Sequence, residues 1–291
     1  MMVKELTIIS GKGGCGKTTL TASFVALSSN QVIVDADVDA ADMHILMQPE
    51  IKSTETFNGL DIAQKDDGKC IDCGKCYESC RYGAFDSDNT LHPDKCEGCA
   101  VCAMVCPADA IQMVERNAGE AYVSETRFGT MVHAKLHAGE EASGKLVALV
   151  RQRAKDIAKE QGSERIIIDG PPGTGCTVIA SLTGVNLVLV VIEPSLSGIH
   201  DSKRVIDVAR HFDIPILVCI NKYDINPENT ERIVEFCSEE GIEIVGQLPY
   251  DETATKAMLA EKTVIEYSDG KLAEIITDIW EKVSERLDAH D

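Results

Sequence analysis

The chain has 291 residues, 44% hydrophobic and 26% charged, which is the balance of a folded globular protein rather than of a disordered or fibrous one. A net charge of −20 leaves little basic surface for a phosphate backbone and argues against nucleic acid as a main partner. With no apolar stretch of membrane-spanning length and no signal peptide ahead of the first strand, the twelve cysteines point to metal or redox chemistry in a cytoplasmic protein rather than to disulfides.

An apolar run at Leu6–Ile9 reads as a strand, and Lys17 to about Ser29 as a helix. Between them lies Ser10-Gly11-Lys12-Gly13-Gly14-Cys15-Gly16-Lys17-Thr18-Thr19, and strand, glycine loop and helix in that order form the setting in which G-x-x-x-x-G-K-[ST] cradles phosphate. Gly11 and Gly16 are the fixed glycines, and Gly13 to Thr18 bring backbone N–H groups round the anion at the positive end of the helix. Lys17 is placed to reach the β- and γ-phosphates and the Thr18 hydroxyl to bind Mg²⁺. A thiol at Cys15, at a helix N-terminus beside Lys17, is expected to have a lowered pKa; a tolerated small side chain is the plainer reading.

Gln31–Asp35 is a β-branched run suited to a doubly buried parallel strand, with Asp35 at its carboxyl end, where open α/β sheets bind ligands. Carboxylates at Asp35 and Asp37 beside a triphosphate make sense if they hold Mg²⁺ through water or orient the attacking water, while Asp39 and Asp42 read as solvated loop acids. Residues 54–64 read as an edge hairpin turning at Asn58-Gly59.

The composition then changes. Cys70, Cys73, Cys76 and Cys80 are spaced C-x2-C-x2-C-x3-C, and Cys96, Cys99, Cys102 and Cys106 repeat the spacing, followed by Pro107. Four-sulfur zinc sites compete, but they need only paired C-x2-C units, so a doubled three-plus-one pattern favours iron–sulfur. The run resembles bacterial two-cluster ferredoxins, in which three close thiolates grip one cluster and the fourth ligates the other. That resemblance implies one [4Fe–4S] cluster on Cys70, Cys73, Cys76 and Cys106, a second on Cys96, Cys99, Cys102 and Cys80, and a hairpin near Ala84-Phe85 and Thr90-Leu91. Arg81 stands where proline is usual, which is expected to loosen the turn after Cys80.

Residues 121–136 read as a further hairpin carrying His133, with His137 just after it; for both, a structural or solvent-facing role is simpler than metal binding. A loop at 139–145, open to the nucleotide or a partner, leads into a helix ending near Gln161. Arg165–Ile168 is a buried strand ending at Asp169 and the mobile-looking loop Gly170-Pro171-Pro172-Gly173-Thr174-Gly175. Strands near Leu187, Ile216 and Ile242 alternate with helices, completing a doubly wound, mostly parallel sheet. Cys219 and Cys237 read as buried small residues. The tail is amphipathic, with Leu272, Ile276, Ile279, Trp280 and Val283 at helical spacing and acids on its polar face, and is expected to dock on its own core.

Gly11-Lys12-Gly13-Gly14-Cys15-Gly16-Lys17-Thr18-Thr19 resembles the deviant P-loop of the MinD/ParA/Mrp superfamily, Asp35 and Asp37 its switch I, and Asp169 with Gly170–Gly175 its Walker B aspartate and switch II. The resemblance implies an ATPase in which Lys12 reaches the nucleotide of a partner copy, hence a homodimer through the nucleotide face. It further implies that Asp37 orients the hydrolytic water, that Asp169 anchors Mg²⁺, and that Asn221 and the backbone at Pro249 contact adenine. Asn221-Lys222-Tyr223-Asp224 is also literally the guanine motif N-K-x-D; the deviant P-loop weighs towards ATP over GTP. The domains implied are 1–64 with 116–291 for the ATPase and 65–115 for an inserted α+β ferredoxin module. The function implied is ATP hydrolysis coupled to electron transfer, or to metallocofactor maturation on a partner protein. Alternatives are a positioning or regulatory ATPase with the module as an interaction element, and a cluster-assembly scaffold; no cysteine follows Cys237 to supply the latter's bridging pair.

Overall fold

The computed structural model describes residues 3–137, 140 and 144–289, so most of the loop expected at 139–145 lies outside the described residues. The strands are β1 (Lys4–Ser10), β2 (Gln31–Asp35), β3 (Glu50–Asn58), β4 (Ile62–Lys65), β5 (Ile111–Val114), β6 (Asn117–Thr126), β7 (Gly129–Leu136), β8 (Arg165–Pro172), β9 (Leu187–Ile192), β10 (Ile216–Asn221) and β11 (Glu243–Leu248). The helices are α1 (Lys17–Leu27), α2 (Met43–Met47), α3 (Lys75–Ser79), α4 (Val101–Met104), α5 (Gly144–Gln161), α6 (Cys176–Leu182), α7 (Leu196–His211), α8 (Pro227–Glu239), α9 (Glu252–Leu259), α10 (Val264–Tyr267) and α11 (Lys271–Ala289).

The chain divides into two compact units. The larger takes residues 3–55, 121–135 and 144–289, and the smaller Thr56–Glu120 with Leu136, His137 and Glu140. The main sheet runs in the order β11-β10-β9-β1-β8-β2-β7-β6-β3. Pairing is parallel from β11 through to β7. Both faces of its central strands are buried, which is why these segments read as unbroken β-branched runs rather than alternating ones. Leu6, Ile8, Ile33, Ile167 and Leu189 face α1 and α11 in one continuous core, where the Phe24 and Trp280 rings lie 5.1 Å apart. The alternate residues face the helices of the other layer, as Thr7 shows by donating through Oγ1 to the Ser181 carbonyl of α6 at 3.1 Å. The apolar stripe of α11 is thus covered by the core, as its spacing requires.

Residues 54–64 do not form a hairpin. β3 joins the edge of the main sheet beside β6, while β4 pairs antiparallel with β5, Ile62 opposite Val114. The Asn58-Gly59 signal marks a change of sheet instead, and the Gly59 N–H is taken by the Arg116 carbonyl. A long-range pairing has overridden a local turn preference.

In the smaller unit the sequence repeat is repeated in the backbone. Asp72 and Gly98, Gly74 and Ala100, and Gly83 and Asp109 all have positive φ, so each pair occupies corresponding positions in the two cysteine runs. Ala100 at φ 61° accepts a conformation that costs a non-glycine residue about 1 kcal/mol, and it opens α4 as Gly74 opens α3. The Phe85–Leu91 bridge forms the small hairpin between the halves.

Candidate functional site

Gly16 gives the phosphate loop its shape. Its φ of 85° lies in the left-handed region, and a Cβ there would come within 2.3 Å of Asn221 Nδ2. Asn221 Nδ2 donates to the Cys15 carbonyl at 2.8 Å, so the end of β10 ties down the loop. Lys222 completes the tie: its Nζ donates to the Gly14 carbonyl at 3.2 Å and pairs with Glu193 Oε2 at 2.7 Å.

Beneath the loop, Lys17 Nζ lies 3.3 Å from both Asp37 Oδ2 and Asp169 Oδ1. Thr18 Oγ1 donates to Asp169 Oδ2 at 2.7 Å and Thr21 Oγ1 to Asp169 Oδ1 at 3.0 Å. Burial alone would lower the pKa of Lys17, but the charges of Asp169, then Asp37 and Asp35, outweigh it and raise the pKa. Burial pushes the Asp35 carboxyl well above the ordinary range, reinforced by the charge of Asp169. Asp37 is raised for the same first reason and is restrained by Lys17. Asp35 takes backbone N–H donors on both oxygens, from Asp37 at 3.2 Å and Met43 at 3.3 Å, and so shapes the segment leading to α2.

A cavity of about 360 Å³ opens in front of these groups. Gly13, Gly14, Gly16, Lys17, Thr18, Thr19, Asp37, Asp42, Asn221, Lys222, Pro249 and Tyr250 line it, with an apolar end at Met258, Val264, Leu272 and Ile276. Amides, a lysine, a threonine hydroxyl and the carboxylates of Asp37 and Asp42 in one cavity suit a magnesium-bound triphosphate. Lys12 stands apart on the exposed side of the loop, its Nζ 3.3 Å from Ser197 Oγ.

Cys15 departs from expectation. It is buried beneath the loop with Sγ 3.1 Å from the Lys12 carbonyl, and desolvation followed by the charge of Glu193 raises its pKa rather than lowering it. Burial likewise pushes Cys219 up to about 12 and Cys237 up to about 11. His133 Nε2 meets Ser124 Oγ at 2.9 Å and His137 Nε2 meets Asn117 Oδ1 at 3.2 Å. Thr21 and Glu193 have no role in the sequence reading, and Lys222 enters it only within the N-K-x-D motif, not as a tie to the phosphate loop.

In the smaller unit, Cys106 comes from the second cysteine run yet lines one cavity with Cys70, Cys73 and Cys76 of the first. Cys80 and Cys96 pack with buried Cys76 and Cys102 around Phe85 and Ile111. Backbone N–H groups point at sulfur: Ala110 to Cys106 Sγ at 3.3 Å, Ala84 to Cys80 Sγ at 3.4 Å and Ala63 to Cys96 Sγ at 3.4 Å. The first two are equivalent turns in the two halves, so Arg81 does not loosen the turn after Cys80. Among the described residues, no three His, Cys, Asp or Glu side chains converge on a point where one ion would sit. Cysteines spread around a cavity, with the Ala84 and Ala110 amides turned towards two of them by the left-handed Gly83 and Asp109, fit a polynuclear iron–sulfur cluster better than a single zinc ion.

A glycine loop at a helix start, with its lysine held between Asp37, just past β2, and Asp169 of β8, makes this a P-loop nucleotide-binding protein of the α/β class. More narrowly, the chain belongs to the CobQ/CobB/MinD/ParA nucleotide-binding family, whose model matches residues 6–264. It is 32% identical over 287 residues to an uncharacterized protein of Methanocaldococcus jannaschii, covering 98% of both chains. Shorter matches reach pyruvate synthase subunit PorD of Methanothermobacter marburgensis, 44% identical over 16% of this chain and 59% of that one. An iron-sulfur cluster carrier protein of Pyrococcus abyssi is 26% identical over 48% of this chain and 52% of its own. The septum site-determining protein MinD of Pyrococcus horikoshii, solved with Mg-ADP, shares the fold with a TM-score of 0.61 at 16% identity, covering 98% of this chain and 97% of that one. Among the described residues, no helix is long and apolar enough to cross a membrane.

Proposed function

We propose that the chain hydrolyses ATP and couples its nucleotide state to a two-cluster iron–sulfur module, for electron transfer to a partner protein or for maturation of a metallocofactor on one. The observation that carries this reading is one of connectivity. The chain leaves the larger unit through β3, directly after Asp35, Asp37 and α2, and returns through β6, which leads straight into β7, the partner of β2, the strand that ends at Asp35. The cysteine-bearing segment is therefore spliced into the part of the nucleotide site most sensitive to the γ-phosphate.

In hydrolysis, Lys17 exchanges Asp37 for phosphate oxygens, which frees Asp37 to accept a hydrogen bond from water. That water attacks the γ-phosphorus in line, the bond to the β-phosphate oxygen breaks, and ADP and inorganic phosphate leave. Thr18 and Asp169 would hold Mg²⁺, and Lys12 would reach the site of a second copy across a homodimer. Cys70, Cys73, Cys76 and Cys106 would hold one [4Fe–4S] cluster and Cys96, Cys99, Cys102 and Cys80 a second, which would supply one-electron transfer between a low-potential donor and an acceptor protein. The amides of Ala110, Ala84 and Ala63 stabilise the negative charge on three of those sulfurs. Relatives named iron-sulfur cluster carrier proteins favour a second reading, in which a cluster itself is delivered.

Anaerobic purification tests the pairing of activities. The account expects about eight irons per chain, matching acid-labile sulfide, in a sample that also hydrolyses ATP. Stoichiometric zinc with no labile sulfide would overturn it.

A further inference from the structure

Asn221, Lys222 and Asp224 spell the N-K-x-D signature whose aspartate reads guanine, yet the geometry gives Asp224 other work. Asn221 and Lys222 stand on the wall of the nucleotide cavity and Asp224 does not. Lys222 adopts φ 55°, and Tyr223–Ile225 then form a single tight turn. Asp224 Oδ1 there accepts the Tyr250 backbone N–H at 2.7 Å.

That contact joins the two loops that frame the base end of the cavity. β10 and β11 pair in parallel with Asn221 opposite Leu248, so the chains that run on from them leave the sheet side by side. Beyond the last strand residues, the Asp224–Tyr250 bond is the rung that keeps them together. The second loop is held at its far end as well, where Asp251 accepts the Thr253 N–H at 2.8 Å and caps α9. Pro249 and Tyr250, both lining the cavity, are thus fixed on either side.

We propose that Asp224 is a positioning residue for the base wall at Pro249 and Tyr250, and not a reader of guanine. Reading guanine requires a carboxylate that faces the ring edge and accepts from N1–H and the exocyclic amine together. A carboxylate outside the cavity, with one oxygen on a backbone amide, supplies the shape of the wall instead. The proposal rests on the reading of this cavity as the nucleotide site and deepens it.

The test is nucleotide affinity of the full chain, by competition among ATP, GTP and xanthosine triphosphate, for the native protein, Asp224→Asn and Asp224→Ala. Asparagine keeps an acceptor oxygen for Tyr250, so Asp224→Asn is expected to hold ATP affinity within about twofold and to gain nothing for the xanthine nucleotide. Asp224→Ala is expected to weaken ATP about five- to tenfold, with thermal unfolding of the nucleotide-free protein unchanged. A switch of Asp224→Asn towards xanthosine triphosphate, or full ATP affinity in Asp224→Ala, would overturn the proposal while leaving the nucleotide site itself intact. Failure of the native protein to bind any of the three would remove both the site and the proposal.

Discussion

Thr18 Oγ1 donates to Asp169 Oδ2 at 2.7 Å, joining the first turn of α1 to β8 through the two groups proposed to serve Mg²⁺. Lys17 and Thr21 meet the other oxygen of Asp169, so one carboxylate gathers the lysine and two threonines of the phosphate loop and its helix. Each of those partners is open to substitution.

On the proposed mechanism, Asp37 is the partner that hydrolysis needs released. Replacement by alanine should lower the rate of phosphate release about a hundredfold or more while ATP affinity holds or rises, because Lys17, then paired with Asp169 alone, has one competitor fewer for the phosphates. Steady-state turnover and nucleotide titration on the same sample separate the two; loss of affinity in step with turnover would assign Asp37 to binding instead.

The crossing of cysteines between the two halves makes an asymmetric forecast. Cys106 lines the cavity of Cys70, Cys73 and Cys76, so Cys106→Ser should perturb the same electron paramagnetic resonance signal as Cys70→Ser. Cys80→Ser should alter the other signal. Pairing of Cys106→Ser with Cys102→Ser would show that each run keeps its own four ligands.

Arg127 sits where the chain returns from the cysteine-bearing segment. Its Nε and Nη2 hold Glu266 at 2.6 and 2.7 Å, and Nη2 also holds the Leu46 carbonyl of α2 at 2.7 Å. Glu266 caps α10, whose Val264 lines the nucleotide cavity. Arg127→Lys loses the fork geometry; with both side chains part-exposed the cost should be about 1 kcal/mol, with faster amide exchange in α2. Unchanged exchange in α2 would remove Arg127 from any path between hairpin and nucleotide.

Much of the α/β core was legible because doubly buried parallel strands write themselves as β-branched runs, and because the phosphate loop needs glycine where the helix dipole meets the anion. What stayed hidden was non-local. The pairing of β4 with β5 joins segments on either side of both cysteine runs, so no local rule outranked the Asn58-Gly59 turn signal. The raised pKa of Cys15 depends on burial and on Glu193, a residue far along the chain. Thr21 reads in sequence as an ordinary helical threonine, and only the approach of β8 gives its hydroxyl a carboxylate to meet.

His133 offers a pH test. Burial, then the charge of His44, lowers its pKa from 6.5 to about 4, and its ring meets Ser124 and stacks 5.1 Å from Tyr122. A histidine kept neutral in the folded state binds its proton more readily when unfolded, so stability falls as pH drops below 6.5 and the loss is complete near pH 4. Between pH 7.5 and 5.5 the native protein should lose roughly 1 kcal/mol more than His133→Gln in denaturant unfolding. Parallel pH profiles would place the histidine in solvent.

The central claim is that the nucleotide state is felt at the clusters. Midpoint potentials of both clusters, measured anaerobically with and without a non-hydrolysable magnesium–ATP analogue, test it most directly. A coupling free energy of about 1.4 kcal/mol corresponds to a shift of about 60 mV for one electron, and the account predicts a displacement of at least that order in one cluster. Identical potentials in the two states, together with identical rates of electron delivery to an acceptor protein, would contradict it.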